Sequence, residues 1–176
     1  MNTTKIIIAL SIISLFFITP TNSIFSQNQN TKKKSDLKKL FSIARQACFY
    51  ANIQRVVRGK TFMVYDPRLE KTAMYQAEYC AKNKKLSRTS SEDNMTTLSD
   101  RIKHFKSSCR YCNEELYRFW ASRYGISDST SERSIAYKII ANMMYRPDTR
   151  KKILSSYNVM GNGIVRKGEG RKALYY

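Results

Sequence analysis

The sequence predicts an α+β fold, in which helices come first and a β-hairpin comes last. Apolar residues recur at spacings of three and four over several segments of the first 150 residues, as in helices that bury one face. The segment 157–165 is instead rich in glycine and β-branched residues, which favours a strand. With 176 residues, of which 42% are hydrophobic, the chain is long enough for one domain with a sizeable core.

The first 26 residues predict an export signal. Lys5 precedes an uncharged apolar run over residues 6–18, and Pro20 ends that run. A membrane-spanning helix needs roughly 20 apolar residues, so this run is short for an anchor, and Ser23 or Ser26 offers a small residue for cleavage. We therefore expect a secreted or periplasmic protein from which residues 1–26 are removed. An uncleaved anchor is the alternative.

Residues 27–35 are polar and then basic, which predicts a linker ahead of a domain over residues 36–176. The net charge of +19 favours anionic surfaces such as phosphate polymers, acidic glycans and lipid headgroups. Export takes the chain away from nucleic acid, so we expect a lipid or an anionic polymer as partner, with peripheral membrane contact. A solvated basic surface that only aids solubility is the alternative. The oligomeric state is not predicted.

The first two helices have clear boundaries in the sequence. One is predicted from Asp36 to about Val57, where Gly59 supplies a stop signal. The next begins at Asp66-Pro67, with aspartate as N-cap and proline at the first helical position.

The second half of the chain predicts further helices and then the hairpin. Short apolar periods indicate helices around residues 98–105 and 116–120, and the most regular period, over 135–144, follows a capping-box pattern at residues 129–132. Pro147 should end or kink that helix. Residues 157–165 and 173–176 should form the strands of the hairpin.

Four cysteines follow the predicted leader, namely Cys48, Cys80, Cys109 and Cys112. In an oxidising compartment they allow up to two disulfides, with three pairings. Cys48 and Cys80 lie on the apolar faces of the first two helices, so their pairing is preferred, with two inert buried thiols as the alternative. For Cys109-x-x-Cys112 a structural disulfide is favoured, because the sequence shows neither the context of a redox site nor a second close pair for zinc.

The titratable residues do not assemble a recognisable catalytic site. His104 is the only histidine in the sequence and has no serine, cysteine or acidic neighbour. Glu114 and Glu115 are adjacent, so on a helix they would diverge by about 100°, and Glu115 is expected to be a surface charge. We expect no catalytic residue and no cofactor, and we favour a binding protein. A hydrolase or a metal-dependent enzyme with an atypical site is the alternative.

Six segments, taken in order, carry a family resemblance. They are Asn52-x-x-Arg55, Tyr65-Asp66-Pro67-Arg68-Leu69 with the spaced alanines after it, Leu86-Ser87-Arg88, Glu114-Glu115-Leu116, MMYRPDTRKKIL over residues 143–154, and GNGIV over residues 161–165. Together they resemble the motifs of the CAP superfamily, which comprises cysteine-rich secretory proteins, antigen 5 and pathogenesis-related 1 proteins. The likeness is to the compact bacterial members of that family, whose domain is also called an SCP domain.

The resemblance implies an α-β-α sandwich with a small antiparallel sheet between helical layers, in an extracellular protein. Family members often carry two histidines and acidic residues in a central cavity, which can hold a divalent metal. Arg88 and Thr149 stand at the two histidine positions here, and Glu114 matches an acidic one. Arginine stays protonated and cannot ligate a metal, so we expect no metal, an Arg88–Glu114 ion pair, and a cavity that binds a lipid, a glycan or an anionic surface. Asn52 and Arg55 would be structural.

Overall fold

The computed structural model of the chain describes residues 21–107, 109 and 112–176. Residues 1–20, which make up most of the predicted leader, lie outside the described residues. Within the described part, no helix combines the length and the apolar character needed to cross a membrane. The chain divides into two units, Met1–Leu37 and Lys38–Tyr176, and the contacts described below lie within the second.

Helices account for most of the regular structure in the described residues. The α-helices are α1 Thr21–Val56, α2 Pro67–Asn83, α3 Leu98–His104, α4 Glu132–Tyr145 and α5 Pro147–Ile153, and two 3-10 helices cover Ala121–Tyr124 and Gly170–Lys172.

Helix α1 ends where the sequence predicts and begins earlier. Its last residue is Val56, one position before the predicted end. Its first residue is Thr21 and not Asp36, so the backbone of residues 27–35 is helical where an irregular linker was predicted. Neither glycine nor proline interrupts these residues, and glutamine and lysine are good helix formers, so the polar composition does not stop the helix.

The predicted helix starts are largely confirmed by their caps. Asp66 accepts a hydrogen bond from the backbone N–H of Arg68 at 2.7 Å, and Pro67 is the first residue of α2. The capping box predicted at residues 129–132 is not formed: Ser131 and not Ser129 caps α4, and Glu132 accepts from Ser42 instead of reaching back to the cap. Pro147 ends α4 as predicted, and it also starts α5.

In the part of the chain that the structure describes, five short strands form two small sheets: β1 Val64–Tyr65, β2 Phe119–Trp120, β3 Val159–Met160, β4 Arg166–Lys167 and β5 Leu174–Tyr175. Strand β1 pairs with β3 in parallel, and an antiparallel sheet has the order β2-β5-β4. The α+β class is confirmed. A C-terminal hairpin forms, but its first strand is β4 and not the predicted segment 157–165, whose residues Val159–Met160 pair with β1 instead. The pairing of β1 with β3 was not predicted.

The helix predicted over residues 116–120 is not formed. Phe119 and Trp120 instead make β2, with Phe119 buried and Trp120 half-exposed. This alternation is typical of a strand, in which successive side chains point to opposite faces. Phe119 stacks on Tyr175 of β5, with ring centroids 5.0 Å apart.

The main core lies between α1, α4 and the antiparallel sheet. Its buried members include Ile43, Ala44, Ala47 and Ala51 of α1, Ile135, Ala136, Ile139 and Ile140 of α4, and Phe119 and Tyr175 of the sheet. Small alanines on α1 let the neighbouring elements approach the helix closely. This core forms one side of the candidate site.

Candidate functional site

Glu115 is the centre of a polar cluster that joins three parts of the chain. Thr149 Oγ1 donates a hydrogen bond to Oε1 of Glu115 at 3.0 Å, and the ammonium group of Lys152 donates to Oε2. The guanidinium of Arg88 lies 3.6 Å from the same Oε2 atom. Thr149 and Lys152 are three residues apart on α5, which places them on one face of that helix.

The surroundings of Glu115 keep its carboxylate ionised. Burial alone would raise its pKa, but the hydrogen bonds from Lys152 and Thr149 and the positive charges of Lys152 and Arg88 together lower it. Glu115 is therefore not the surface charge predicted above, since its side chain is only 23% exposed. Two cations and a hydroxyl converge on this one carboxylate.

Glu114 has a different partner from the one predicted. Nη2 of Arg101 donates to Oε1 of Glu114 at 2.8 Å, so the predicted Arg88–Glu114 ion pair is wrong and Arg88 pairs with Glu115 instead. The Arg101 guanidinium also reaches the carbonyl oxygens of Arg88 and Met95 at 3.3 and 3.4 Å. Burial raises the pKa of Glu114 despite the Arg101 charge. Its Oε2 atom is buried with no hydrogen-bond partner among the described residues.

The two glutamates diverge because the segment that carries them is extended rather than helical. Residues 112–118 have no helical structure and lead directly into β2. Successive side chains of an extended segment point in opposite directions. Glu114 therefore meets α3 through Arg101, whereas Glu115 meets α5 through Thr149 and Lys152.

A cavity of about 270 Å³ lies next to this cluster. Glu115 and Lys152 line it, and most of the other lining side chains are apolar, including Leu69, Leu86, Leu116, Ile140, Met143 and Ile153. Its size is slightly below the range of about 300–1,000 Å³ that is typical of small-molecule sites. The cavity is thus largely apolar, with the charged side chains of Glu114, Glu115 and Lys152 at its wall.

Two glycines allow the wall of the cavity to form. Gly161 and Gly163 line it, and each lies directly against the backbone of α2. A Cβ atom at Gly161 would collide with Leu69 and Glu70, and one at Gly163 would collide with Ala73 and Met74. The segment after β3 can approach the helix this closely only because neither residue has a side chain.

Asn52 and Arg55 bond to backbone groups, and neither lines the cavity. The Asn52 side chain accepts from the N–H of Met63 at 2.8 Å and donates to its carbonyl at 2.9 Å. Arg55 donates to four carbonyl oxygens, those of Thr61, Ile153, Ser155 and Tyr157. These bonds tie the end of α1 to the segment before β1 and to the segment after α5.

The cysteines pair differently from the preferred prediction. Cys48 and Cys80 are buried free thiols, and a disulfide joins Cys109 to Cys112, so the predicted 48–80 pairing is wrong. The structure agrees instead with the predicted alternative, in which Cys48 and Cys80 are two buried thiols. Burial raises the pKa of Cys48 to about 12, and the side chain of Asn162 donates to its sulfur at 3.2 Å. The raised pKa leaves little thiolate at Cys48, which makes this thiol unreactive.

The residues present do not fit the metal site that the family resemblance implies. No group of three or more histidine, cysteine, aspartate or glutamate side chains could hold a metal ion within the described ranges. Around Glu115 the other groups are an ammonium, a guanidinium and a hydroxyl. A divalent cation here would face the repulsion of two fixed positive charges. His104 does not line the cavity and packs its ring on Phe105, with centroids 4.8 Å apart.

Comparisons with known proteins agree with this fold. A solved structure of an extracellular protein containing an SCP domain, from Bacillus anthracis str. Ames, is similar with a TM-score of 0.52 and 16% identity. The likeness covers 76% of this chain and 39% of that chain, so this chain spans well under half of that protein. It confirms the predicted α-β-α fold. A comparison with curated proteins finds no match. The model of the CAP family, described as the cysteine-rich secretory protein family, matches residues 52–176, and the chain belongs to that family.

Proposed function

We propose that this protein is an exported, non-enzymatic binding protein whose cavity holds the apolar part of a lipid-like ligand. The observation that carries the proposal is the apolar lining of the cavity beside the Glu115 cluster. Burial of apolar ligand surface against such a lining supplies a favourable free energy of about 25 cal/mol per Å².

The polar groups at the cavity favour binding over catalysis. Glu115 has a lowered pKa and is held by two cations, so at neutral pH it neither donates a proton nor accepts one readily. Lys152 is committed to the same ion pair. Thr149 donates its hydroxyl proton to Glu115, but the lowered pKa of this carboxylate makes it a weak general base for activating Thr149 as a nucleophile.

The charge balance at the cluster indicates the kind of ligand. Arg88 and Lys152 bring two positive charges to the single negative charge of Glu115, while Glu114 and Arg101 neutralise each other. The cluster therefore keeps one net positive charge beside an apolar cavity. An amphiphile with an anionic headgroup, such as a long-chain fatty acid, would place its chain in the cavity and its headgroup near Lys152.

Titration with a long-chain fluorescent fatty acid and with its methyl ester tests the proposal. The acid should bind at a one-to-one ratio, and the ester, which lacks the charge, should bind more weakly. Ala73 lines the cavity, so A73L should lower the affinity for both probes by filling it, and thermal unfolding would verify that this variant folds. The matched control is K71L, which adds the same side chain at an exposed position of α2.

A second variant separates the headgroup from the chain. Lys152→Met should lower the affinity for the acid by about tenfold, the value of one charge-assisted hydrogen bond, and should leave the affinity for the ester unchanged. If the folded wild-type protein binds neither probe, the proposed function is refuted. Equal binding by the wild-type protein and A73L would show that the cavity is not the site.

A further inference from the structure

The outer side of α1 carries apolar side chains that no other part of the described structure covers. Phe49, Ile53 and Val56 follow one another at spacings of four and three, so they lie on one face of the helix. They are exposed to 50%, 37% and 55%. The opposite side of the same helix is buried in the core. Helix α1 is therefore apolar on both sides in this stretch, although only one side is packed.

The segment before and within β1 extends this apolar surface. Asn52 holds the backbone of Met63, and Arg55 holds that of Thr61, so residues 61–65 run alongside α1. Met63 is buried and lines the cavity. Phe62 and Val64 alternate with it in an extended segment, so they point outward and are exposed to 60% and 65%. With Val57 at the end of α1, these residues form what we call the outer apolar face: Phe49, Ile53, Val56, Val57, Phe62 and Val64.

Aromatic side chains continue the face toward α4. The ring of Phe49 meets that of Tyr50 edge-on at 5.6 Å, and Tyr50 meets Tyr137 in the same way at 5.5 Å. Tyr137 is half-exposed, and Arg133 donates to the hydroxyl of Tyr50 at 3.1 Å. Tyrosines of this kind, with an apolar ring and a polar tip, suit the boundary between water and an apolar phase.

The charges in and around the face are almost all positive. Residues 37–65 contain no aspartate or glutamate, and Arg58 and Lys60 are exposed beside Val57 and Phe62. The carboxylates that border the face already have ion-pair or hydrogen-bond partners. Glu70 lies 3.7 Å from Arg45, Glu132 accepts from Ser42 at 2.6 Å, and the side chain of Asp66 accepts from Arg68 and Ser107.

We propose that the outer apolar face docks the protein on an anionic lipid bilayer. Aromatic and aliphatic tips would enter the headgroup region, while Arg58 and Lys60 contact lipid phosphates. Charge argues against a second copy of the chain as occupant, because a two-fold contact through this face would gather Arg58 and Lys60 of both copies in one interface to which residues 37–65 contribute no carboxylate. The face is separate from the cavity, since none of its six residues lines it.

Sedimentation with vesicles tests the docking. The protein recovered after export is mixed with vesicles of phosphatidylcholine alone or with three parts in ten of phosphatidylglycerol. We expect binding to the anionic vesicles only. The double variant V57S/F62S should bind at least tenfold more weakly, because it removes two apolar tips, and R58Q/K60Q should also lose about tenfold. All variants share one N-terminus, so any contribution of residues 1–26 cancels in the comparison.

Trp120→Ser is the matched control, because Trp120 is exposed to 53% but lies on β2, outside the face. It should bind like the wild-type protein. Failure of the wild-type protein to bind anionic vesicles would overturn the proposal. So would equal loss in W120S and V57S/F62S, which would show that binding does not depend on this face. A concentration-dependent dimer that V57S/F62S abolishes, without vesicle binding, would assign the face to a second copy instead.

Discussion

Arg101 and Glu114 form a buried ion pair that ties α3 to the extended segment before β2. Nη2 of Arg101 lies 2.8 Å from Oε1 of Glu114, and no part of the Arg101 side chain is exposed. Because Glu115 is the next residue in the chain, this pair also anchors the backbone that presents Glu115 to α5. The pair therefore helps to position the polar cluster at the cavity, although Arg101 itself does not line the cavity.

Replacing Arg101 should be strongly destabilising. Arg101→Met leaves Glu114 buried without its partner, and the loss should be about 3–5 kcal/mol in the free energy of unfolding. The double variant R101M/E114M removes both charges and should recover more than half of that loss. Urea denaturation measures both values. A loss of under about 1 kcal/mol for R101M, or a double variant as unstable as the single one, would contradict a coupled buried pair.

Lys152 should control the titration of Glu115. Lys152→Met removes a hydrogen bond and a positive charge that lower the pKa of Glu115, so this pKa should rise. A lowered pKa contributes stability that is present above the ordinary value of 4.5 and is lost as the pH falls through the pKa of the folded state. The wild-type protein should therefore lose more unfolding free energy than K152M on acidification below about pH 4.5.

Lys151→Met supplies the control for this measurement, because Lys151 is the neighbouring exposed residue of α5. It should leave the pKa of Glu115 unchanged in an NMR titration. If K151M and K152M shift the pKa equally, the effect comes from net charge and not from the contact with Lys152.

The thiols of Cys48 and Cys80 should resist modification until the protein unfolds. Both are buried, and burial raises the pKa of Cys48 to about 12, which leaves almost no thiolate at neutral pH. Alkylation should modify neither residue in the native protein and both in urea without reductant. Non-reducing peptide mapping should find Cys109 linked to Cys112. A peptide that links Cys48 to Cys80 would contradict this arrangement.

Local patterns in the sequence predict the helices better than the strands. The spacing of apolar residues and the Asp66-Pro67 start place α2, and the long apolar period places α4. A strand of two residues such as Phe119–Trp120 is too short to show a period. Its pairing with β5, more than fifty residues later, is a tertiary contact that no local pattern contains.

The candidate site was predicted in part. Motif positions identify Arg88 and Thr149, and the structure brings both to one carboxylate. The choice of carboxylate was wrong, because it followed the family motif to Glu114, whereas the extended segment presents Glu115 to Arg88 and Thr149. Arg101 was missed, since an arginine in a basic helix usually indicates a solvated surface. The one signal for its burial is its place beside Ile102, which is also buried.

The role of Arg55 can be separated from its charge by a conservative change. Its guanidinium donates to four carbonyl oxygens on two segments that are distant in sequence. A lysine keeps the positive charge, but its ammonium group cannot reach all four carbonyl oxygens to which the planar guanidinium of Arg55 donates. Arg55→Lys should therefore lower the free energy of unfolding by about 2–4 kcal/mol, since charge-assisted hydrogen bonds contribute about 1.5–3 kcal/mol each and some would survive. Arg58→Lys, at an exposed position whose side chain donates to Gln54, should change it by less than about 0.5 kcal/mol. If chemical denaturation shows that the two substitutions lower the free energy of unfolding equally, the guanidinium of Arg55 does not hold these segments together.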